Sequence, residues 1–329
     1  MNGYLTPAAE RMAVFAGARD SFARAEQALR ELCGWHLDDE GIRQLTHLAA
    51  ARATRTRDTR ADAAAFAPTP AAPTPAAPTP TATPIEVGID AGKVNTDTGW
   101  RDVKVAVFAT REAGEPTSLA DWDTRELPPP SARTVVAGIE EACHFTRRVR
   151  AEADRLRVTT ATDVTVLADG AEWIWHLAAE VLPQAGGVLD AYHALEHLSD
   201  AVTAIWGSDT PATAERVAGG RVALLGGGKV GIERWIGGQF AEFPAGHDGE
   251  PLRGLAAYLL KHPTRLGYAE RLAAGRSIGS GLVEGSIKQL VNRRLKQTGA
   301  KWNVRHVGPL VELVALLDTP AWDALWTAA

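Results

Sequence analysis

Residues 68–84 read PTPAAPTPAAPTPTATP, with seven prolines in 17 positions. Proline fixes φ and donates no backbone hydrogen bond, so such a repeat builds neither helix nor sheet. It favours an extended polyproline rod rising about 3.1 Å per residue, a reach of about 50 Å. The repeat therefore divides the chain. Residues 1–62 form a small first region, 63–84 a semi-rigid linker and 85–329 a large second region.

The first region reads as all-helical. SFARAEQALRELCGW places Phe22, Ala25, Leu29 and Leu32 at helical spacing, with Ser21 as an N-cap and Gly34 as a stop. DDEGIRQLTHLAA follows as a second helix with Ile42, Leu45 and Leu48 inward. Two short helices around a glycine-containing turn, followed by arginines, predict a helix-turn-helix-like DNA-binding region. A plain helical hairpin fits the same pattern.

The second region reads as α/β. IEVGID is a short strand ending at Asp90, and RDVKVAVFAT alternates as a second strand. Residues 131–157 read as a helix. DVTVLADG is a buried strand ending at Asp169, AEWIWHLAAEVL a helix, and GGVLDAY a short strand ending at Asp190. From His193 onward helices dominate, with a helical insertion expected over about 198–275 and glycine-rich breaks at 219–231.

Charge narrows the partners. The net charge is −5, which argues against a globally basic binder. Yet residues 276–306 carry seven cations against the single acid Glu284, and residues 51–60 carry four arginines against Asp58. Two basic stretches on an acidic chain point to a polyanion gripped at chosen places, although solvated helix faces would look the same. The two cysteines, Cys33 and Cys143, form no CxxC pair, so no zinc ribbon or disulfide framework is expected. No apolar run of about 18 residues and no signal peptide is visible, so no membrane association is expected and the cytoplasm is the expected compartment.

Three apolar strands thus end in an acid, and strand ends at one sheet edge are where α/β sites form. Hard cations such as Mg²⁺ take a few carboxylate oxygens. Two such ions about 3.5–4 Å apart activate a water or 3′-hydroxyl and stabilise the leaving oxygen of a phosphodiester. The fourth acid, Glu284, sits in the first turn of a helix capped by Ser280. Lys288, Val291 and Leu295 follow on roughly the same face. Such a helix sets a carboxylate beside phosphate-binding side chains, although an acid near a helix N-terminus is favourable by itself.

Other motifs fail on context. Residues 275–279 match G-x-S-x-G, but helical sequence precedes the serine where a strand is required. LGGGKV at 225–230 lacks the spacing of a phosphate loop. Asp190, His193 and His197 share one helical face, a possible zinc set without cysteine; a polar role near substrate suits Asp190 and His193 better. Trp302, beside Lys301 and Arg305, is expected in the core rather than stacked on a base.

The blocks GIDAGKVNTDTGWRDVKV, VLADGAEWIWHLAAEVLP, LDAYHALEHL and SIGSGLVEGSIKQLVNRRLKQTGAKWN resemble bacterial insertion-sequence transposases of the ISKra family. These are DDE enzymes with a ribonuclease-H-like core, here with Ala91 where the family usually has glycine. The resemblance implies a mixed ribonuclease-H-like sheet and a metal-binding catalytic triad of Asp90, Asp169 and Glu284. Two Mg²⁺ ions, or Mn²⁺, are the implied cofactor, and Asp190 and His193 match an auxiliary D-x-x-H block. DNA, as transposon ends and target, would be gripped by Lys288, Arg293, Arg294, Lys296, Lys301 and Arg305. A homodimer or higher oligomer is implied, because two ends must be joined. The alternative is a DNA-binding regulator or inactive relic that keeps the fold.

Overall fold

A computed structural model describes residues 5–66, 83–208, 210–242 and 249–327. Residues 68–82 of the proline repeat lie outside the described residues.

Three helices come first. The Thr6 hydroxyl caps α1 (Pro7–Arg19), with Pro7 in the first turn where its missing donor costs nothing. Ser21 caps α2 (Phe22–Cys33), and Gly34 ends it in the left-handed conformation. Asp38 caps α3 (Asp39–Arg55). Of the expected inward set, Ala25, Leu29 and Ile42 are buried and Phe22 and Leu45 pack against them partly buried, whereas Leu32 is 84% and Leu48 64% exposed. The buried face of α3 is Ile42, Thr46, Ala49, Ala50 and Ala53, with Ile42 packed on α1 and α2 and the alanines on the core that the C-terminal helices share.

A five-stranded mixed sheet follows: β1 (Ile85–Thr96), β2 (Gly99–Thr110), β3 (Ala132–Gly138), β4 (Val164–Ala168) and β5 (Gly186–Leu189). The spatial order is β3-β2-β1-β4-β5. β1 and β2 form one long antiparallel hairpin, with β3 antiparallel at its outer edge. β4 and β5 run parallel to β1. Two sequence expectations are corrected. The helix expected over 131–157 begins only at Ala142 as α4 (Ala142–Arg155), because Thr134, Val135 and Val136 are β-branched and complete the sheet. β1 does not stop at Asp90 but runs six residues further, so Asp90 sits in mid-strand.

Two layers cover the sheet. On one face lie α4 and α5 (Glu172–Val181), packed on Val87, Ile89, Ala106 and Phe108. On the other lie α10 (Gly281–Ile287), a π-helical turn at Lys288–Asn292, α11 (Arg293–Leu295), α12 (Val304–Leu316) and α13 (Pro320–Thr327), packed on Val94, Val103, Val105 and Val107. Val14, Ala18, Ala49, Ala50 and Ala53 of the N-terminal helices belong to that same core. The helical stretch expected over 198–275 contains α6 (Ala191–Trp206), α7 (Pro211–Phe240), α8 (Glu250–Leu260) and α9 (Tyr268–Ala273). These pack on Leu167, Val188 and Leu189. The breaks expected at 219–231 reduce to one, a kink at Gly228 within LGGGKV, with helix on both sides of it.

The basic stretch at 51–60 is not a surface patch. Arg57 lies between Glu312 of α12, at 2.9 Å, and Glu152 of α4, at 3.3 Å, and both glutamates are 1% exposed. Arg155 pairs with Glu152 at 2.7 Å and with Asp62 at 2.6 Å. Thr134 donates to Glu152, and the Ala137 N–H donates to Glu312. Burial pushes the Glu152 carboxyl up, but Arg155 and Arg57 outweigh it and hold the group below its ordinary value. Arg60 bonds to the Ala53 carbonyl, and Arg52 lies over Trp326. Removing one member of such a buried network strands the opposite charge. Arg57→Ala is expected to cost about 3–5 kcal/mol in urea unfolding, whereas Arg55→Ala, at an exposed site of the same stretch, is expected to change little.

Candidate functional site

The strand register assembles the acids. Gly88 pairs with Leu167 and Ala168 with Leu189. Continuing each ladder past its last pair brings Asp90, Asp169 and Asp190 abreast at the carboxyl ends of β4 and β5. Neighbouring strands lie about 4.8 Å apart. Asp90 shares its face of β1 with Gly88, Gly92 and Val94.

Glu284 reaches this edge on α10, which lies directly over β1. A Cβ built on Gly88 would stand 2.9 Å from Val283 Cβ, and one on Gly92 would stand 3.0 Å from Ile287 Cγ2. The first is closer than real side chains tolerate and the second is tight enough to push the helix back, so the two glycines flanking Asp90 let the helix seat on the strand. Val283 and Ile287 are its buried face and Glu284 projects outward. The expected common face of Glu284, Lys288, Val291 and Leu295 does not form. The π-helical turn at Lys288–Asn292 shifts the register, leaving Glu284 and Lys288 exposed while Val291 and Leu295 are buried.

Each acid of the triad has one oxygen engaged. Asp90 Oδ1 accepts from Ala91 N at 2.6 Å, Asp169 Oδ1 from Ala171 N at 2.9 Å, and Glu284 Oε1 from Ser280 Oγ. Burial pushes Asp90 up to about 6, with the charges of Asp169 and Glu284 adding to the rise. The Ala91 N–H and His193 act the other way. The charges of Asp169, Glu284 and His193 are thus all felt at Asp90. Among the described residues no group of three or more His, Cys, Asp or Glu side chains is placed to hold a metal ion in this structure. The donor chemistry fits a hard divalent cation: three carboxylates, each with its second oxygen unengaged by a protein donor among the described residues, and like charges that a cation would relieve.

The remaining candidates separate. Asp190 is fully buried, with both oxygens engaged. His193 is half-buried, with Nδ1 3.7 Å from Glu196. His197 packs on Tyr258 with ring centroids 4.2 Å apart, away from any zinc set. Lys288, Arg293, Lys296, Lys301 and Arg305 are exposed. Arg294 is a correction, since it is 2% exposed and unavailable to DNA. Its guanidinium donates twice to the Gly17 carbonyl, at 2.8 and 3.1 Å, between the rings of Phe22 and Trp302. Trp302 is half-buried and donates to the Leu295 carbonyl, as the core expectation required. Ser277 of the G-x-S-x-G stretch is buried and donates to Glu86, so it is no nucleophile.

Tyr258 was not visible in the sequence pattern. It comes from α8, its ring packs on the turn at Gly170, and burial pushes its hydroxyl up to about 12, with Asp169 and Asp190 adding to the rise. Nothing local in LRGLAAYLLKH marks it, because only tertiary packing brings α8 to that turn.

No protein-family model matches this chain. No curated protein matches it.

The Asp90 shift sets a pH dependence. Because its folded value is raised, the folded chain binds more protons than the unfolded one between about pH 4 and 6, and stability falls as pH rises through that window. Asp90→Asn removes the repelled charge. In metal-free buffer the variant is expected to melt above the wild type at about pH 7.5, with the gap closing towards pH 4. Melting curves across that range check this; a gap that does not vary with pH would count against the assignment.

Proposed function

We propose that this chain is a DNA transposase of the DDE kind, as its resemblance to ISKra-family enzymes implies. One observation carries the reading. Asp90 and Asp169 come abreast on neighbouring parallel strands while the Gly88 and Gly92 contacts lay the Glu284 helix over the same strand. The strand order β3-β2-β1-β4-β5 supports a ribonuclease-H-like core. Among the described residues no helix is long and apolar enough to cross a membrane.

Asp90, Asp169 and Glu284 would hold Mg²⁺, which when bound supplies charge neutralisation and an activated water or 3′-hydroxyl. Lys288, Arg293 and Lys296 follow Glu284, each exposed, and would bind the phosphates flanking the scissile bond. Lys301 and Arg305 extend that grip, because residues 300–304 run alongside the β1–β2 hairpin: the Trp302 N–H donates to the Asn95 carbonyl, and the Asp97 N–H to the Trp302 carbonyl. A protonated His193 would offset part of the negative charge felt at Asp90. The exposed faces of α2 and α3 are where a helix-turn-helix-like reading of element-end DNA would act. Joining two ends calls for two copies of the site, hence a homodimer or larger assembly.

A cleavage and joining assay with purified protein, Mg²⁺ and DNA carrying the flanking element ends tests this. Wild-type protein is expected to give joined molecules. Asp169→Asn and Glu284→Gln are each expected to lose about 100-fold or more, the scale of several kcal/mol of lost charge stabilisation. Binding through five phosphate contacts is expected to weaken with salt with a log–log slope of about −4 to −5. Joining that survives in Asp169→Asn overturns the triad. Salt-sensitive binding with no cleavage by the wild type favours the regulator, and cut ends without joined molecules favour a nuclease.

A further inference from the structure

We propose that Asp190 is a positioning residue that holds the Glu284 helix in place, and not a third strand-end metal ligand. The inference rests on the carboxylate reading above.

Asp190 ends β5, where its own N–H donates to the Ala168 carbonyl at 2.8 Å. Its side chain is fully buried. Oδ1 accepts from the His193 N–H at 2.7 Å and caps α6. Oδ2 accepts from the Ser280 N–H, 90 residues further along the chain. Beside it the Ala191 N–H donates to the Ile278 carbonyl at 3.0 Å. The segment entering α10 is thus bonded to the end of β5 twice. A cation taking Asp190 as ligand would have to displace charge-assisted bonds from buried N–H groups, which are among the stronger kind. Asp90, Asp169 and Glu284 each keep an unengaged oxygen instead.

Ser280 completes the link. A serine at a helix start ordinarily accepts a hydrogen bond from the first turn, and the sequence reads it so. Here its side chain makes no cap bond. It donates to Glu284 Oε1, while its carbonyl accepts from Val283 N at 2.9 Å and Glu284 N at 3.0 Å. Asp190 therefore holds Ser280 by its N–H, and Ser280 holds Glu284 by its hydroxyl. A seven-residue helix has little stability of its own, so its position depends on such anchoring.

Asp190→Asn keeps an oxygen for the α6 cap and the same volume, but offers one acceptor fewer to Ser280. Ser280→Ala removes only the link to Glu284, and serves if the first variant folds poorly. Full-length wild type and variants are titrated with Mn²⁺ by calorimetry, beside Asp90→Asn, and their amide hydrogen exchange is followed over residues 278–287. Asp190→Asn is expected to keep the wild-type number of bound ions, weaken their affinity about 10-fold as outer-shell partners do, and speed exchange at Ser280, Val283 and Glu284. Ser280→Ala is expected to weaken Mn²⁺ binding with the ion number again unchanged, and the double variant to bind no more weakly than Asp190→Asn alone. Loss of an ion, as in Asp90→Asn, would make Asp190 a ligand and overturn the proposal. Unchanged exchange at Ser280, or wild-type Mn²⁺ affinity in both single variants, also overturns it. A wild type that takes up no Mn²⁺ would overturn the carboxylate reading itself, and exchange alone would then decide whether Asp190 holds the helix.

Discussion

The seating of α10 on β1 is the contact on which the candidate site depends. It exists because two positions on one face of a central strand, Gly88 and Gly92, carry no side chain, so Val283 and Ile287 rest against the strand backbone. Between those glycines stands Asp90, and between the two apolar residues of the helix stands Glu284. The same packing that buries Val283 and Ile287 therefore brings two carboxylates from distant parts of the chain to one locality. Parallel pairing of β1 with β4 brings the third.

The cost of this arrangement is electrostatic. Partial burial and two like charges push the Asp90 carboxyl up to about 6, and a local N–H and His193 recover only part of that. Elsewhere the chain solves the same problem differently. Glu152 and Glu312 are more deeply buried, yet Arg57, Arg148 and Arg155 surround them. The contrast separates two uses of acid. Neutralised carboxylates tie the N-terminal helices, α4 and α12 together. Asp90, Asp169 and Glu284 gather without such partners where β4 and β5 end, an arrangement that marks a candidate site.

The strand acids are legible in the sequence because each follows an apolar run, although only Asp169 and Asp190 close their strands. IEVGID, DVTVLADG and GGVLDAY each show an apolar run and then an acid. What was misread has identifiable causes. β3 was hidden because ARTVVAG stands between a potential cap at Ser131 and a true helix, and a short β-branched run is ambiguous by periodicity. Leu32 and Leu48 obey helical spacing but face solvent, since α3 packs against α1, α2 and α12 through Ile42, Ala49, Ala50 and Ala53. Arg294 looks like its neighbours Arg293 and Lys296. Only the π-helical turn and the approach of Gly17, Phe22 and Trp302 turn it inward.

By itself, the sequence determined most local matters: which segments are helix or strand, α1 and β3 aside, where α2 starts and stops, and which acids end apolar runs. These depend on neighbours within a few residues, whose propensities and hydrogen bonds act at short range. Tertiary structure alone decided which acids share a locality, which cations remain at the surface, and that Asp190 and Ser280 work as a pair. Those outcomes depend on burial and on contacts between residues tens to hundreds of positions apart, and neither charge nor spacing along the chain encodes them.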